Sequence, residues 1–202
     1  MEKNFIYLAS ASPRRRELLE QIGVPFRVLA SAVSESRLPG ERPEAYVERV
    51  AAEKADEIWG NVSASEPAPV LAADTAVIVD DAVLGKPRDE ADALDMLQRL
   101  SGRSHTVLTA VALRWQTGRD QVVSSSEVRF RATTAAERKA YCRSDEPYDK
   151  AGAYAIQGLG ALFVEQLSGS YSAVMGLPLC ETATMLNRFG LPPWLSDGAF
   201  QR

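Results

Sequence analysis

An α/β fold with a mixed, twisted sheet flanked by helices is predicted by three features of this 202-residue chain. Short apolar runs alternate with stretches of helical periodicity along its whole length. Two long alternating stretches, Ser104–Trp115 and Gln121–Arg131, are joined by Gln-Thr-Gly-Arg, the pattern of a hairpin. Hydrophobic residues make up 46% and charged residues 25%, as in globular proteins, and no repeat or low-complexity tract interrupts them. The length suits one domain spanning 1–202 with a sizeable core.

Each element has its own signal. Phe5–Ala9 is a short apolar run and reads as a strand. Ser12 can cap a helix with Pro13 at its first position, and Leu18, Leu19 and Ile22 form its buried stripe before Gly23. Phe26–Leu29 reads as a second strand and Ser31–Arg42 as a polar loop. Pro43 opens a helix running to about Trp59, and residues 60–69 form a connector. Val70–Val79 is the most apolar segment and Asp80-Asp81 turns it. Leu84-Gly85-Lys86-Pro87 leads into a helix over Glu90–Leu100. After the hairpin, Thr134-Ala-Ala-Glu137 is a capping box for a short helix. Tyr148–Gln157 is irregular, Ala161–Gln166 reads as a strand, and Pro178–Phe189 as a last helix stopped by Gly190 and Pro192-Pro193.

Composition excludes several classes of function. The charge is 23 basic against 27 acidic side chains, a net −4, which lacks the basic footprint of a general nucleic-acid binder. Cys142 and Cys180 lie too far apart for a CxxC motif, so neither a disulfide scaffold nor a zinc ribbon is expected. A single histidine, His105, leaves no His pair for metal or catalysis, and its place at the start of an alternating strand reads as structural. No long apolar run precedes Arg14–Arg16 and none approaches a bilayer span of about 20 residues, so no signal peptide and no membrane segment are expected, and the cytoplasm is the expected home. Gly158-Leu-Gly160 is only part of a dinucleotide fingerprint, and no phosphate-binding GxxxxGK[ST] loop or GxSxG elbow occurs.

The sequence also breaks local rules. Arg14, Arg15 and Arg16 fill the first turn of the first helix, where the helix dipole favours carboxylates. Either they face water as a solvated basic turn, or an anion such as phosphate sits on them and on the free N–H groups. Lys54 falls on the same face as Val47, Val50, Ala51 and Ile58; it either snorkels at the core edge or points an ammonium into a cleft. Asp74 interrupts the apolar decapeptide. Either the strand ends at Ala73 with Asp74 in a turn, or Asp74 is a catalytic or metal-binding carboxylate, since an unpaired buried charge costs several kcal/mol. Lys86 adds a cation on a restrained turn.

Taken together these residues resemble the Maf family of nucleoside triphosphate pyrophosphatases. Leu8–Leu19 (LASASPRRRELL) is similar to that family's Ser-x-Ser-Pro-Arg-Arg signature. Ala72–Val77, Leu84–Pro87, Ser104–Val107 with Thr109, and Gly176–Leu179 follow in family order, so the resemblance covers about Tyr7 to Phe189. Tyr154–Leu179, with Gln157 in Ile-Gln-Gly, looks like the dTTP/UTP-preferring branch; the sister branch typically has Glu-Gly there and Ser-Asp in place of Asp74-Thr75. In the polar loop Ser34-Glu35 stands where relatives commonly have two or more acids, so Glu35 is the matching carboxylate.

The resemblance implies a Maf/inosine-triphosphatase-like fold with a cleft between two lobes, and hydrolysis of a nucleoside triphosphate between its α and β phosphates. It implies that Arg14 and Arg15 hold the phosphates, that Lys54 and Lys86 neutralise developing charge, and that Glu35 and Asp74 hold a divalent cation, Mg²⁺ or Mn²⁺. Asp74 would be the general base, while Thr75 and Gln157, with Ser10 and Ser12 nearby, would read the pyrimidine. The expected partner is a small nucleotide, with no nucleic acid and no membrane, and a homodimer is compatible with this. Relatives have been linked to inhibition of septum formation, so a regulatory interaction protein is the alternative, as is a nucleotide-binding module without turnover. Asp74, Lys54, Glu35 and Lys86 together favour an enzyme.

Overall fold

The computed structural model describes residues 5–191. Seven strands form a mixed sheet in the order β2-β1-β3-β5-β6-β7, with β4 paired to β3. β1 (Ile6–Leu8) is parallel to both β2 (Phe26–Val28) and β3 (Val70–Val79). Parallel neighbours need long crossovers. α1 (Pro13–Gln21) lies between β1 and β2 in the chain, and α2 (Pro43–Val62) between β2 and β3. Antiparallel pairing of β3 with β4 (Ala82–Leu84), and of β6 (Gly118–Phe130) with β7 (Val164–Ser168), makes the sheet mixed, as the sequence predicts. α3 (Glu90–Leu100), β5 (Ser104–Trp115), α4 (Ala135–Cys142), α5 (Tyr171–Met175) and α6 (Leu179–Asn187) complete the chain.

The chain forms two compact units. Residues 5–74, 109–123 and 176–191 make the first, and 75–108 and 124–175 the second. In the first, Ile6, Leu8, Leu19, Val47, Leu71 and Leu186 are fully or almost fully buried. In the second, Val77, Leu97, Leu100, Phe130, Tyr154 and Phe163 belong to one apolar cluster. His105 lies in that unit's core, its Nε2 at 2.8 Å from the Tyr154 hydroxyl and its ring edge-on to Phe130.

Several boundaries differ from the sequence reading, each for a local reason. Ser12 occupies the cap position of α1, but its side chain does not cap; its N–H instead donates to Ser10 Oγ at 3.2 Å. α2 continues past Trp59 because Val62, one turn after Ile58, prolongs the buried face. The Asp80-Asp81 turn is tighter than a simple strand end: both residues take positive φ (51° and 60°), the left-handed twist of a two-residue hairpin, and return the chain at once into β4. β6 starts at Gly118, so the hairpin link shrinks to residues 116–117; a Cβ at 118 would come within 3.0 Å of the Trp115 ring. The strand expected over Ala161–Gln166 begins only at Val164, because Leu159–Phe163 coil into a 3₁₀ turn. The short helix α5 carries no signal that the sequence reading used. Thr134 and Glu137 cap α4 reciprocally, as expected. Gly190 takes φ +68° after the last helix, while Pro192-Pro193 lie outside the described residues.

Candidate active site

Asp74 lies inside the ten-residue strand β3, which continues to Val79; the reading that placed it in a turn after Ala73 is corrected. The β-branched residues Val70, Thr75, Val77, Ile78 and Val79 favour an extended strand through the carboxylate. β1 pairs with β3 only as far as Leu8 opposite Leu71, with the Ala9 N–H on the Leu71 carbonyl at 2.8 Å. Asp74 therefore sits three residues beyond the carboxyl end of that parallel pairing. Ligand sites of α/β sheets form at such strand ends.

Lys54 does not snorkel. Its side chain is 7% exposed, and Nζ donates to Asp74 Oδ1 at 2.8 Å and to Glu35 Oε1 at 2.5 Å. One buried ammonium thus bridges two carboxylates. The second Asp74 oxygen, Oδ2, is buried with no hydrogen-bond partner. A buried acceptor left unpaired costs about 1–3 kcal/mol, more when it is charged. Burial holds the Asp74 carboxyl above the ordinary aspartate value, opposed by Lys54 and Arg15.

Arg15 is buried at the start of α1. Its Nε donates to the Gly176 carbonyl at 2.8 Å and its Nη1 to Ser10 Oγ at 3.1 Å. Burial lowers its pKa, while Asp74 and then Glu35 oppose that shift, so the guanidinium lies in the field of both carboxylates. Arg14 and Ser12, in and before the same first turn, are half-buried. Glu35 is carried by the irregular loop after β2, with a side chain 42% exposed. Its backbone carbonyl accepts from the Tyr46 hydroxyl at 2.8 Å. Arg49 steadies the same loop, donating to the Ser36 carbonyl at 3.0 Å and to both Glu41 carboxylate oxygens at 2.6 and 2.9 Å. Burial and the negative charges of Asp74 and Glu35 push the Tyr46 hydroxyl up to about 12, so it stays a donor.

Of the residues singled out in the sequence, Ser10, Arg15, Glu35, Lys54 and Asp74 come together in the first unit. Thr75, Lys86 and Gln157 belong to the second unit. Thr75 is half-buried in β3; Lys86 and Gln157 are exposed on turns. The Lys86 turn is anchored next door, where the Gly152 N–H donates to the Gly85 carbonyl at 3.0 Å. Gly152 takes φ +70°, and a Cβ there would meet three Val77 side-chain atoms at 3.0 Å, so only glycine fits.

The donor set suits a hard cation. Glu35 and Asp74 offer carboxylate oxygens, and one of these is the unpartnered Asp74 Oδ2. Among the described residues no group of three or more His, Cys, Asp or Glu gathers. An ion held by two carboxylates would draw its other ligands from phosphate oxygens and water, the usual habit of Mg²⁺.

A buried lysine thus joins two carboxylates beside the arginine-bearing start of α1. The model of the Maf-like protein family matches residues 5–189, and the chain belongs to that family. It is 50% identical over 191 residues to the dTTP/UTP pyrophosphatase of Saccharophagus degradans, covering 94% of this chain and 90% of the relative. It is 52% identical over 192 residues to that of Bordetella avium, covering 92% and 96%, and 50% identical over 200 residues to that of Dechloromonas aromatica, covering 93% and 98%. Among solved structures, the Ham1 protein of Staphylococcus aureus aligns with 62% of this chain and 71% of its own, at 16% identity and a TM-score of 0.42, too distant to bear on function.

Sequence reasoning missed the supports of this site. Tyr46 and Arg49 look like ordinary residues of an amphipathic helix, and the Gly176 carbonyl that receives Arg15 has no side-chain signal at all. The placing of Lys54 on the apolar face was the only clue that α2 reaches the site.

Proposed function

We propose that this chain hydrolyses dTTP and UTP to the nucleoside monophosphate and pyrophosphate. The observation that carries this reading is the buried Lys54 joining Asp74 and Glu35, with one Asp74 oxygen left unpaired, in a chain about half identical to relatives named dTTP/UTP pyrophosphatase.

In this reading a water attacks the α-phosphorus, the bond from that phosphorus to the bridging oxygen breaks, and pyrophosphate leaves with the bond's electron pair. The Asp74 carboxylate takes the proton from the attacking water; burial favours this by raising the basicity of the carboxylate. Lys54 keeps the Asp74 carboxylate oriented through Oδ1, so the other oxygen stays available. Arg14, Arg15 and the start of α1 bind phosphate oxygens, with Ser10 and Ser12 lining the approach. Glu35 and Asp74 would hold Mg²⁺ or Mn²⁺, which when bound would neutralise phosphoryl charge and acidify water. Lys86 neutralises the leaving pyrophosphate. Thr75 and Gln157 read the base, because a glutamine amide supplies both the donor and the acceptor that the O4–N3 edge of uracil or thymine needs.

The test is pyrophosphate release from a panel of nucleoside triphosphates, with Mg²⁺, with Mn²⁺ and with excess chelator. The expected result is turnover of dTTP and UTP ahead of CTP and GTP, abolished by chelator. Absence of pyrophosphate release from every nucleotide would overturn the enzyme reading, and full activity in chelator would overturn the metal. No described helix is long and apolar enough to cross a membrane. A cytoplasmic location and a homodimer complete the reading, the latter checked by sedimentation.

A further inference from the structure

In the second unit, one carboxylate outside the site described above is saturated with donors. Glu146 Oε1 accepts from the Tyr141 hydroxyl at 2.8 Å and from the Gly160 N–H at 2.9 Å; Oε2 accepts from the Leu159 N–H at 2.8 Å. The Tyr141 hydroxyl also accepts the Ala155 N–H at 3.2 Å. The turn is pressed against this carboxylate. A Cβ at 158 would lie 2.1 Å from Glu146 Oε2, and one at 160 would lie 2.7 Å from the Ala155 carbonyl and 2.9 Å from the Tyr141 hydroxyl. Gly158 thus makes room for the Glu146 carboxylate, and Gly160 for the Ala155 backbone and the Tyr141 hydroxyl.

Gln157 stands between the fixed points, two residues after Ala155 and two before Leu159. Its side chain is exposed, and no hydrogen bond to it occurs among the described residues. Packing cannot aim such a side chain, so its direction is set by its backbone. Lys150 closes the other end of the segment, donating from Nζ to the Glu146 carbonyl at 2.9 Å.

We propose that Glu146, with Tyr141, is the positioning residue that fixes the Gln157 turn and so sets the enzyme's choice of base. This rests on the reading of Gln157 as the residue that meets the pyrimidine. The loss of one fixed N–H contact frees the turn, and a glutamine that wanders loses its advantage for a base whose donor and acceptor it would match.

The experiment uses the full chain with Mg²⁺ and three variants, Glu146→Gln, Tyr141→Phe and Gln157→Ala, plus the Glu146→Gln/Gln157→Ala double variant. Glu146→Gln keeps the shape but turns one acceptor into a donor facing an N–H; Tyr141→Phe keeps the ring in its core and removes only the bridging hydroxyl. Two quantities are read: the ratio of kcat/KM for UTP over CTP, and amide hydrogen exchange at Leu159 and Gly160. Expected are a fall in the ratio of about tenfold in both clamp variants, faster exchange at both amides in Glu146→Gln, and no further fall in the double variant beyond Gln157→Ala alone. If exchange quickens while the ratio holds, and Gln157→Ala does lower the ratio, Glu146 is structural only and the proposal is overturned. If Gln157→Ala leaves the ratio unchanged, the base-reading role of Gln157 fails, and with it any effect of Glu146 through that residue.

Discussion

Asp74 and Glu146 are both carboxylates drawn away from solvent, one in each unit, and their environments push them in opposite directions. Burial acts upward on both. At Asp74 burial prevails over Lys54 and Arg15, and the carboxyl is held above its ordinary value. At Glu146 the N–H groups of Gly160 and Leu159, then the Tyr141 hydroxyl, outweigh burial and hold it below. The geometry explains the difference. Glu146 has three donors for its two oxygens; Asp74 has a donor on Oδ1 and none on Oδ2. A satisfied carboxylate shapes a chain, while an under-satisfied one keeps a lone pair for chemistry.

The largest expected effect removes that lone pair's charge. Asp74→Asn is nearly isosteric, and Lys54 keeps its bond to Glu35, so the melting temperature should not fall. Turnover should drop by about 10²–10⁴-fold, the usual cost of losing a general base. Nucleotide affinity should hold or improve, because a negative charge no longer repels the triphosphate. Single-turnover hydrolysis of UTP beside calorimetric binding decides it: near-normal hydrolysis would make Asp74 a structural residue.

Lys54→Met tests the same carboxylate from the other side. Removing one partner of a buried ion pair costs about 3–5 kcal/mol, which should appear as a large drop in the denaturation midpoint. Lys54 also lowers the Asp74 pKa. In the wild type the raised carboxyl places the acid limb of kcat/KM above the ordinary aspartate range, with activity falling as pH drops and Asp74 protonates. Without Lys54 that limb should move to still higher pH. An unmoved limb would mean that Asp74 is not the group that titrates.

The sequence made Asp74 of the first unit legible and hid Glu146 of the second. Asp74 and Lys54 broke the apolar pattern of their own elements, and a broken pattern is visible without a structure. Their mutual contact was not, because it joins α2 to β3 across twenty residues of chain and no local rule encodes that pairing. Glu146 broke no pattern. It stands in a polar, irregular stretch where a carboxylate looks solvated, and its partners are mostly backbone N–H groups, which every sequence has. Ala161–Phe163 look like strand in the sequence for the same reason: the apolar residues suggest an extended run, but the carboxylate that accepts from the Leu159 N–H at the start of the turn is thirteen residues away. His105 was correctly read as structural, since one histidine in an alternating strand has no second ligand to act with.

That histidine supplies a pH test confined to the second unit. Burial lowers its pKa to about 4, so the folded chain keeps it neutral while the unfolded chain protonates it near 6.5. Its contribution to stability is therefore complete above pH 6.5 and is lost as pH falls from there toward 4. By pH 4.5 the loss should be about 2–3 kcal/mol. Urea titrations at pH 7 and pH 4.5 on the wild type and on His105→Phe measure it. The variant should lose less over that interval, and equal losses would show that other groups carry the acid sensitivity.

The smallest effect separates the two lysines. Lys54 is buried between carboxylates, so its loss disturbs fold and chemistry together. Lys86 is exposed on the turn between β4 and α3, and the turn itself is held by the Gly152 N–H on the Gly85 carbonyl, a bond that needs no Lys86 side chain. Lys86→Ala should leave the unfolding free energy within about 0.5 kcal/mol of wild type, as surface substitutions usually do. If its ammonium meets the leaving pyrophosphate, turnover should still fall by about tenfold, worth about 1.4 kcal/mol of transition-state stabilisation. Lys86→Arg should restore part of that loss, because a cation at the end of a long side chain can reach a phosphate from a similar place. An equal fall in midpoint and turnover would return Lys86 to the scaffold, and an unchanged turnover would remove it from the chemistry altogether.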